Sequence, residues 1–366
     1  MKKKQFLFCP GPVMVSERVH QAALHDDICH RVPGFEEMIA NLRANLLKVF
    51  GANEEYTILP ITGSGTAANE AVISSYFNPD KHALVVNNGE FGCRLEEMLD
   101  VYGIPKTVLT YDWGARPDVA EIEATLKKNQ EIDAVLLVFH ETSTGMINPV
   151  KEIGELAHAY GKTFIVDGVS AVGGEDVNAT RDHIDFCTTS ANKCIASLPG
   201  VGVVCAKISK LKEVKDNKPN TVYLNLYNQY LMLDRYGQTQ NTPSTTMFYI
   251  LNTAVEELLE EGIENRIIRH RECARVIREG VREIGLKILV NDKDASNTVT
   301  HIFLPKEIPV DRFIRKMEEK GYTLYPGKRH LKEENTFQIG NMGDIHKDTC
   351  ENFLEVFRQA YKELKG

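Results

Sequence analysis

The chain has 366 residues, a formal net charge of −8, 43% hydrophobic and 26% charged residues, the make-up of an ordinary water-soluble enzyme of more than one compact core. The acidic balance argues against a nucleic-acid partner, which needs a basic excess to neutralise phosphate, but leaves room for a small anionic substrate. Eight cysteines (Cys9, Cys29, Cys93, Cys187, Cys194, Cys205, Cys273 and Cys350) show no CxxC pairing and point to reduced thiols rather than a disulfide frame or zinc site.

In chain order, the basic start "MKKK" leads into an apolar run that stops at Pro10, too short for a signal peptide. No later stretch is long and apolar enough to span a bilayer, so a cytoplasmic protein without membrane contact is expected. Strands are predicted at 56–61, 83–88, 106–111, 134–140, 162–167 and 201–207, with helices at 65–77, 91–103 and 150–161 between them. Near-continuous apolar strands alternating with amphipathic helices indicate an α/β domain with a mostly parallel, doubly wound sheet covered on both faces. From about residue 250 the pattern changes. One long helix over 254–285, strands near 297–305, 322–326 and 336–340, and a final helix at 347–364 predict a smaller α+β domain. The expected division is 16–250 for the large domain and 251–366 for the small one, with 1–15 packing on the small domain.

In a doubly wound sheet, ligands bind beyond the carboxyl ends of the strands. The unusual residues fall there. "TGSGTAANE" (62–70) is a glycine-hydroxyl turn opening a helix, and its backbone N–H groups with Ser64 and Thr66 suit a phosphate. It lacks the GK[ST] ending of a nucleotide-binding loop, and a capped helix without ligand has the same look. "HETSTG" (140–145) follows the fourth strand and reads equally as a capped turn. Asp167 ends an apolar strand, where a carboxylate is costly unless a cation or donor meets it. Lys193, in "TTSANKCIASLPGVG" (188–202), has no acidic residue within six positions. Phosphate cradle, shielded carboxylate and unpaired amine together match pyridoxal phosphate, which needs a phosphate site, an anion at its pyridinium nitrogen and a lysine for its aldehyde. A desolvated lysine without an acidic neighbour has a depressed pKa, which suits imine formation and proton transfer.

The stretches "PGP" (10–12), "GSGTAANE" (63–70), "NNGEFGCR" (87–94), "HETSTGMINPV" (140–150), "AHAYGKTFIVDGVSAVGG" (157–174), "SANKCIASLPG" (190–200), "YPGK" (325–328) and "IGNMGD" (339–344) resemble, in order over nearly the whole chain, the class V (fold-type I) pyridoxal-phosphate aminotransferases. Within that family they look closest to the branch acting on 2-aminoethylphosphonate and pyruvate. The resemblance implies that Lys193 carries the cofactor as a Schiff base and moves the substrate proton, that Asp167 pairs with the pyridinium nitrogen, and that Val169 and Phe91 cover the two ring faces. It implies that Ser64, Gly65, Thr66 and Asn192 hold the phosphate and that Thr142 lies near the ring hydroxyl. It further implies a homodimer with shared active sites, in which Asn241 and Thr242 of "QTQNTPST" (238–245) reach the neighbouring phosphate, and it brings Gly11 of the "PGP" turn to the substrate.

One departure stands out. Where relatives carry an arginine that grips the substrate's acid group, "TFQIG" has Gln338, which lacks the charge and the bidentate fork. Arg329 in "PGKRH" and Arg31 in "CHRVPGF" are the candidates to replace it; otherwise the substrate differs. An alanine–glyoxylate or serine–glyoxylate type of aminotransferase is the alternative within the family. A non-catalytic α/β metabolite-binding protein is the alternative outside it. Cys194, beside Lys193, is expected to pack rather than to act as a desulfurase nucleophile. His25, His30 and His140 read as ordinary polar positions.

Overall fold

The structure, a computed structural model, describes residues 5–365 apart from 216, 218 and 219; the basic start at 1–4 lies outside them. Its centre is a seven-stranded sheet of β1 (Tyr56–Thr62), β2 (His82–Asn87), β3 (Lys106–Thr110), β4 (Ile132–Val138), β5 (Thr163–Asp167), β6 (Phe186–Ser190) and β7 (Val201–Lys207). The spatial order is β1-β7-β6-β5-β4-β2-β3, with β7 antiparallel to both neighbours and every other pairing parallel. Strands β1, β4, β5, β6 and β7 are buried almost throughout, as expected where helices cover both faces of a sheet. Helix α1 (Gly65–Tyr76) follows β1, and α2 (Glu90–Val101) follows β2.

A second, four-stranded antiparallel sheet holds β8 (Lys287–Ile288), β9 (Val299–Phe303), β10 (Tyr325–Pro326) and β11 (Thr336–Gly340), in the order β8-β9-β11-β10. It has its own apolar core, in which Phe313, Phe337, Phe353 and Phe357 pack together with Phe8 from the start of the chain. Phe8 stacks on Phe353 with ring centroids 4.2 Å apart, and Phe6–Leu7 pairs in parallel with Tyr322–Thr323. The region predicted as one strand at 322–326 is therefore two short ones serving different partners.

The helix predicted over 254–285 is also two. Helix α3 (Thr245–Glu261) ends at Gly262, and α4 (Ile263–Glu283) begins directly after it. Gly262 sits at φ +88, a conformation open to glycine at little cost, which ends one helix and re-aims the next. The apolar periodicity runs through this point and gave no sign of the break. Residues of α3 as far as Leu258 pack into the first core, while α4 packs against the last helix, α5 (Lys347–Lys365). Among the described residues no helix is long and apolar enough to cross a membrane.

Candidate active site

The carboxyl ends of the parallel strands bring the singled-out residues together. After β1, the Ser64 hydroxyl caps α1 by accepting from the Ala67 N–H at 3.4 Å. The first N–H groups of α1 have no partner within the helix, so this end is built for an anion. Gly65 is required by space: a Cβ there would lie 2.7 Å from a Val169 methyl and 3.2 Å from Ser190 Cβ. Val169 thus lies directly against the cradle. The Thr66 hydroxyl is met at 3.5 Å by Arg94 from α2. Arg94 escaped the sequence reading although "NNGEFGCR" contains it; in helical projection it lies one turn beyond Phe91.

Asp167, at the end of β5, is buried. Its Oδ1 accepts from the Val169 N–H at 2.9 Å and its Oδ2 from the Asn69 amide at 2.6 Å. Asn69 is itself fixed, because the Thr188 hydroxyl donates to its Oδ1 at 2.5 Å. Burial pushes the Asp167 carboxyl up, while the Val169 and Asn69 donors pull it back. Among the described residues no cation lies within ion-pair distance of it. Asn69 is a positioning residue that sequence reasoning missed, since an amide on a helix gives no signal until the fold sets it against β5 and β6.

Lys193 lies in the loop after β6, buried, with its amine donating to the Pro10 carbonyl. Burial lowers its pKa to about 8, and the charge of Lys328 acts in the same direction. Gly11 is the close neighbour: a Cβ on it would lie 2.9 Å from Lys193 Nζ. Asn192 accepts from the Ser190 hydroxyl at 2.7 Å. Cys194 donates to the Ser170 carbonyl at 3.4 Å and burial pushes its thiol up to about 12, so it is packed and unreactive. Phe91 is half-buried at the start of α2, with the Lys328 amine 4.7 Å and the Arg94 guanidinium 4.9 Å from its ring centre. The Thr142 hydroxyl donates to Ser170 Oγ at 2.7 Å, which leaves its lone pairs for another donor. His140 is not an ordinary polar position. It is buried, held neutral by desolvation at about 3, with Nδ1 on the Ser170 carbonyl and Nε2 unpartnered.

The expected substrate grips are engaged elsewhere. Gln338 is buried on β11, and its amide donates to the Thr142 and Ser143 carbonyls at 2.6 and 2.8 Å. It ties the small sheet to the 142–143 turn, which an apolar side chain could not do. Arg329 is exposed and paired with Glu90 at 2.5 Å and Glu97 at 3.1 Å. Arg31 is exposed and donates to Gln238 Oε1 at 2.8 Å and the Thr239 carbonyl at 2.9 Å. That contact places it on the loop of Asn241 and Thr242, both exposed, whose neighbour Ser244 donates its N–H to the Thr62 hydroxyl at 2.9 Å.

Pyridoxal phosphate fits this donor set. A helix N-terminus awaits a phosphate, a buried carboxylate lacks a cation, an amine is depressed to about 8, and the buried Nε2 of His140 lacks a partner. Fold and site together define a fold-type I pyridoxal-phosphate enzyme, and the chain belongs to the class-V aminotransferases, whose family profile matches residues 15–329. It is a pyridoxal-phosphate-dependent transaminase. Over 364 residues it is 35% identical to the 2-aminoethylphosphonate–pyruvate transaminase of Salmonella schwarzengrund (strain CVM19633), with 98% of each chain covered. It is 34% identical over 363 residues to the same-named enzyme of Lysinibacillus sphaericus (strain C3-41), again covering 98% of each. Among solved structures, the ureidoglycine–glyoxylate aminotransferase of Bacillus subtilis superposes with a TM-score of 0.93 at 26% identity, over 100% of this chain and 95% of that one. The alanine–glyoxylate aminotransferase of Nostoc sp. shares the fold at 0.91 and 24% identity, over 98% and 96%.

Proposed function

We propose that this enzyme moves the amino group of a small donor bearing an acid group, of the 2-aminoethylphosphonate type, to a 2-keto acid such as pyruvate. The observation that carries the reading is the buried Lys193 amine, with its pKa at about 8, at the strand ends that also hold Asp167 and the α1 N-terminus. The identity over 98% of transaminases named for that donor supports the choice of substrate.

Pyridoxal phosphate, when bound, supplies an electron sink for the pair left when the substrate C–H bond breaks. The chain's residues do the rest. Lys193, neutral in a large fraction of molecules near pH 8, would take up and hand back the proton of the substrate carbon. Asp167 as a carboxylate would meet the ring nitrogen, and Asn69 with Thr188 keeps that carboxylate aimed. Ser64, Gly65 and Thr66 with Asn192 hold the phosphate, and Arg94 adds a cation at Thr66. Val169 and Phe91 confine the ring, and Thr142 meets its hydroxyl. The division into a 16–250 domain and a 251–366 domain, with 1–15 on the latter, belongs to this reading and is supported by the two separate cores.

A homodimer in the cytoplasm completes the proposal. The exposed Val222, whose carbonyl accepts from the Gln240 amide at 3.3 Å, and its neighbour Tyr223 offer apolar surface beside the loop of Asn241 and Thr242, which a second subunit would cover. Sedimentation of the holoenzyme tests this; a monomer at micromolar concentration refutes it. The substrate is tested by mixing the holoenzyme with 2-aminoethylphosphonate, L-alanine or L-serine and following the visible absorbance. Bleaching by the phosphonate is expected. Bleaching by the α-amino acids alone would favour the glyoxylate-type alternative.

A further inference from the structure

The residue that grips the substrate's acid group is the open question once Gln338, Arg329 and Arg31 are accounted for. Gln338 spends its amide on two backbone carbonyls, Arg329 is held by Glu90 and Glu97, and Arg31 is tied to the 238–240 loop. A cation remains beside them. Lys328 follows β10, the strand hydrogen-bonded to β11, with Tyr325 directly opposite Gln338. It stands three residues past that pair, and its side chain reaches the site at the Phe91 ring.

Lys328 is half-buried, and its amine lies 4.7 Å from the centre of the Phe91 ring. It makes no ion pair among the described residues. The nearby carboxylates are occupied: Glu90 by Arg329 and Arg94, and Glu141 by the N–H groups of Phe91, Gly92 and Ser143. A lysine held among engaged partners and against an aromatic ring is short of an anion, since a partly desolvated ammonium is stable only with a counter-charge. Burial lowers its pKa, with Arg94 adding to the effect. Its charge also lowers the Lys193 pKa, after burial. Lysine suits a phosphonate or carboxylate as a point charge, where arginine would act as a fork. The Gly327–Thr336 contact fixes the turn that presents it: the Gly327 N–H donates to the Thr336 carbonyl at 2.8 Å, and a Cβ on Gly327 would strike the Thr336 hydroxyl.

We propose that Lys328 is the cation that takes the acid group of the substrate, doing the work that an arginine at position 338 would do. The inference rests on the transaminase reading of the site and adds its specificity-determining residue.

The test compares wild-type holoenzyme with Lys328→Gln and Lys328→Arg, first for cofactor content, which all three are expected to share. In the half-reaction with 2-aminoethylphosphonate, Lys328→Gln is expected to raise the half-saturating concentration about tenfold to a hundredfold, the loss of one charge-assisted bond. The maximal rate should change less than about threefold, a split that general misfolding would not give. Lys328→Arg should restore most of the affinity. Ethylphosphonate, which has no amine to react, gives a second readout by calorimetry: it should bind the wild type and lose about the same factor in Lys328→Gln. Unchanged half-saturation in Lys328→Gln would overturn the proposal, as would equal weakening toward ethylamine, a donor with no acid group. If the wild type ignores the phosphonate but reacts with an α-amino acid, the donor assignment fails. The same comparison on that amino acid then decides Lys328 separately, because its carboxylate makes the same demand.

Discussion

Gly11→Ala is the sharpest perturbation the structure offers. Gly11 adopts φ +127, a region nearly closed to residues with a side chain, at a cost of about 1–3 kcal/mol. The added methyl would also lie 2.9 Å from Lys193 Nζ, 3.0 Å from its Cδ and 3.1 Å from the Asn192 carbonyl oxygen. The backbone oxygen has little room to move, so the lysine chain must give way and its amine must leave the Pro10 carbonyl. Overpacking of this kind adds about 1–3 kcal/mol. A total near 3 kcal/mol corresponds to a fall in Tm of roughly 3–5 °C for a chain of this size, from an unfolding entropy of about 2.1 cal/mol/K per residue. The functional effect is of similar size in free energy, since misplacing a reacting group by about 1 Å costs on the order of 100-fold. Gly103→Ala is the control: its φ is +65 and, its own chain neighbours aside, no atom lies within 4 Å of where a Cβ would stand, so it pays only for backbone strain. Thermal unfolding would compare stability, and the rate at which pyridoxal phosphate is taken up, read from the visible absorbance, would compare the amine. Gly11→Ala matching Gly103→Ala in cofactor uptake would refute the contact argument.

Asn69→Leu removes the donor to Asp167 Oδ2 and the acceptor of Thr188. Losing a donor to the charged form moves the carboxyl pKa further up, so the acid limb of the pH–rate profile should shift upward and kcat should fall about tenfold; an unmoved limb would show that Asn69 does not hold Asp167. Lys193, at about 8, gains reactivity as pH rises and its amine loses its proton. Cofactor uptake by the apo-protein should therefore climb through pH 8 and level off above it, whereas a flat profile between pH 7 and 9 would contradict the lowered pKa. Glu261 lies between Arg269 and Arg266 at 2.6 and 2.7 Å. Burial pushes its carboxyl up, but the two guanidinium groups prevail and hold it at about 2. A depressed carboxyl contributes stability above its ordinary pKa and loses it as pH falls toward the folded value. Glu261→Gln should thus cost about 1–3 kcal/mol at neutral pH and make the fall of the urea midpoint between about pH 5 and 3 shallower than in the wild type; a variant that keeps the full wild-type acid slope would sink this assignment.

The large sheet was legible because its strands are buried on both faces and read as unbroken apolar runs, and the site was legible because strand ends carry residues that pure packing does not want: Asp167 after an apolar strand, Lys193 among small polar neighbours. What escaped has a common physical cause. The Gly262 break leaves the apolar period intact on both sides, so a pattern with period 3.6 passes through it; only the φ of one residue separates α3 from α4. The split at 322–326 depends on two strands found far away, Phe6–Leu7 and β11, and no local signal distinguishes which partner each half will choose. Asn69, Arg94 and Lys328 all stood inside recognised stretches, yet each acquires its meaning from a neighbour contributed by another element: Asp167, Thr66 and Phe91 respectively. Gln338 shows the converse. Sequence comparison marked it as a weakened substrate ligand, but its amide meets two carbonyls that only the fold presents, and a charge lost at that position need not be lost from the site when the adjoining strand can deliver another.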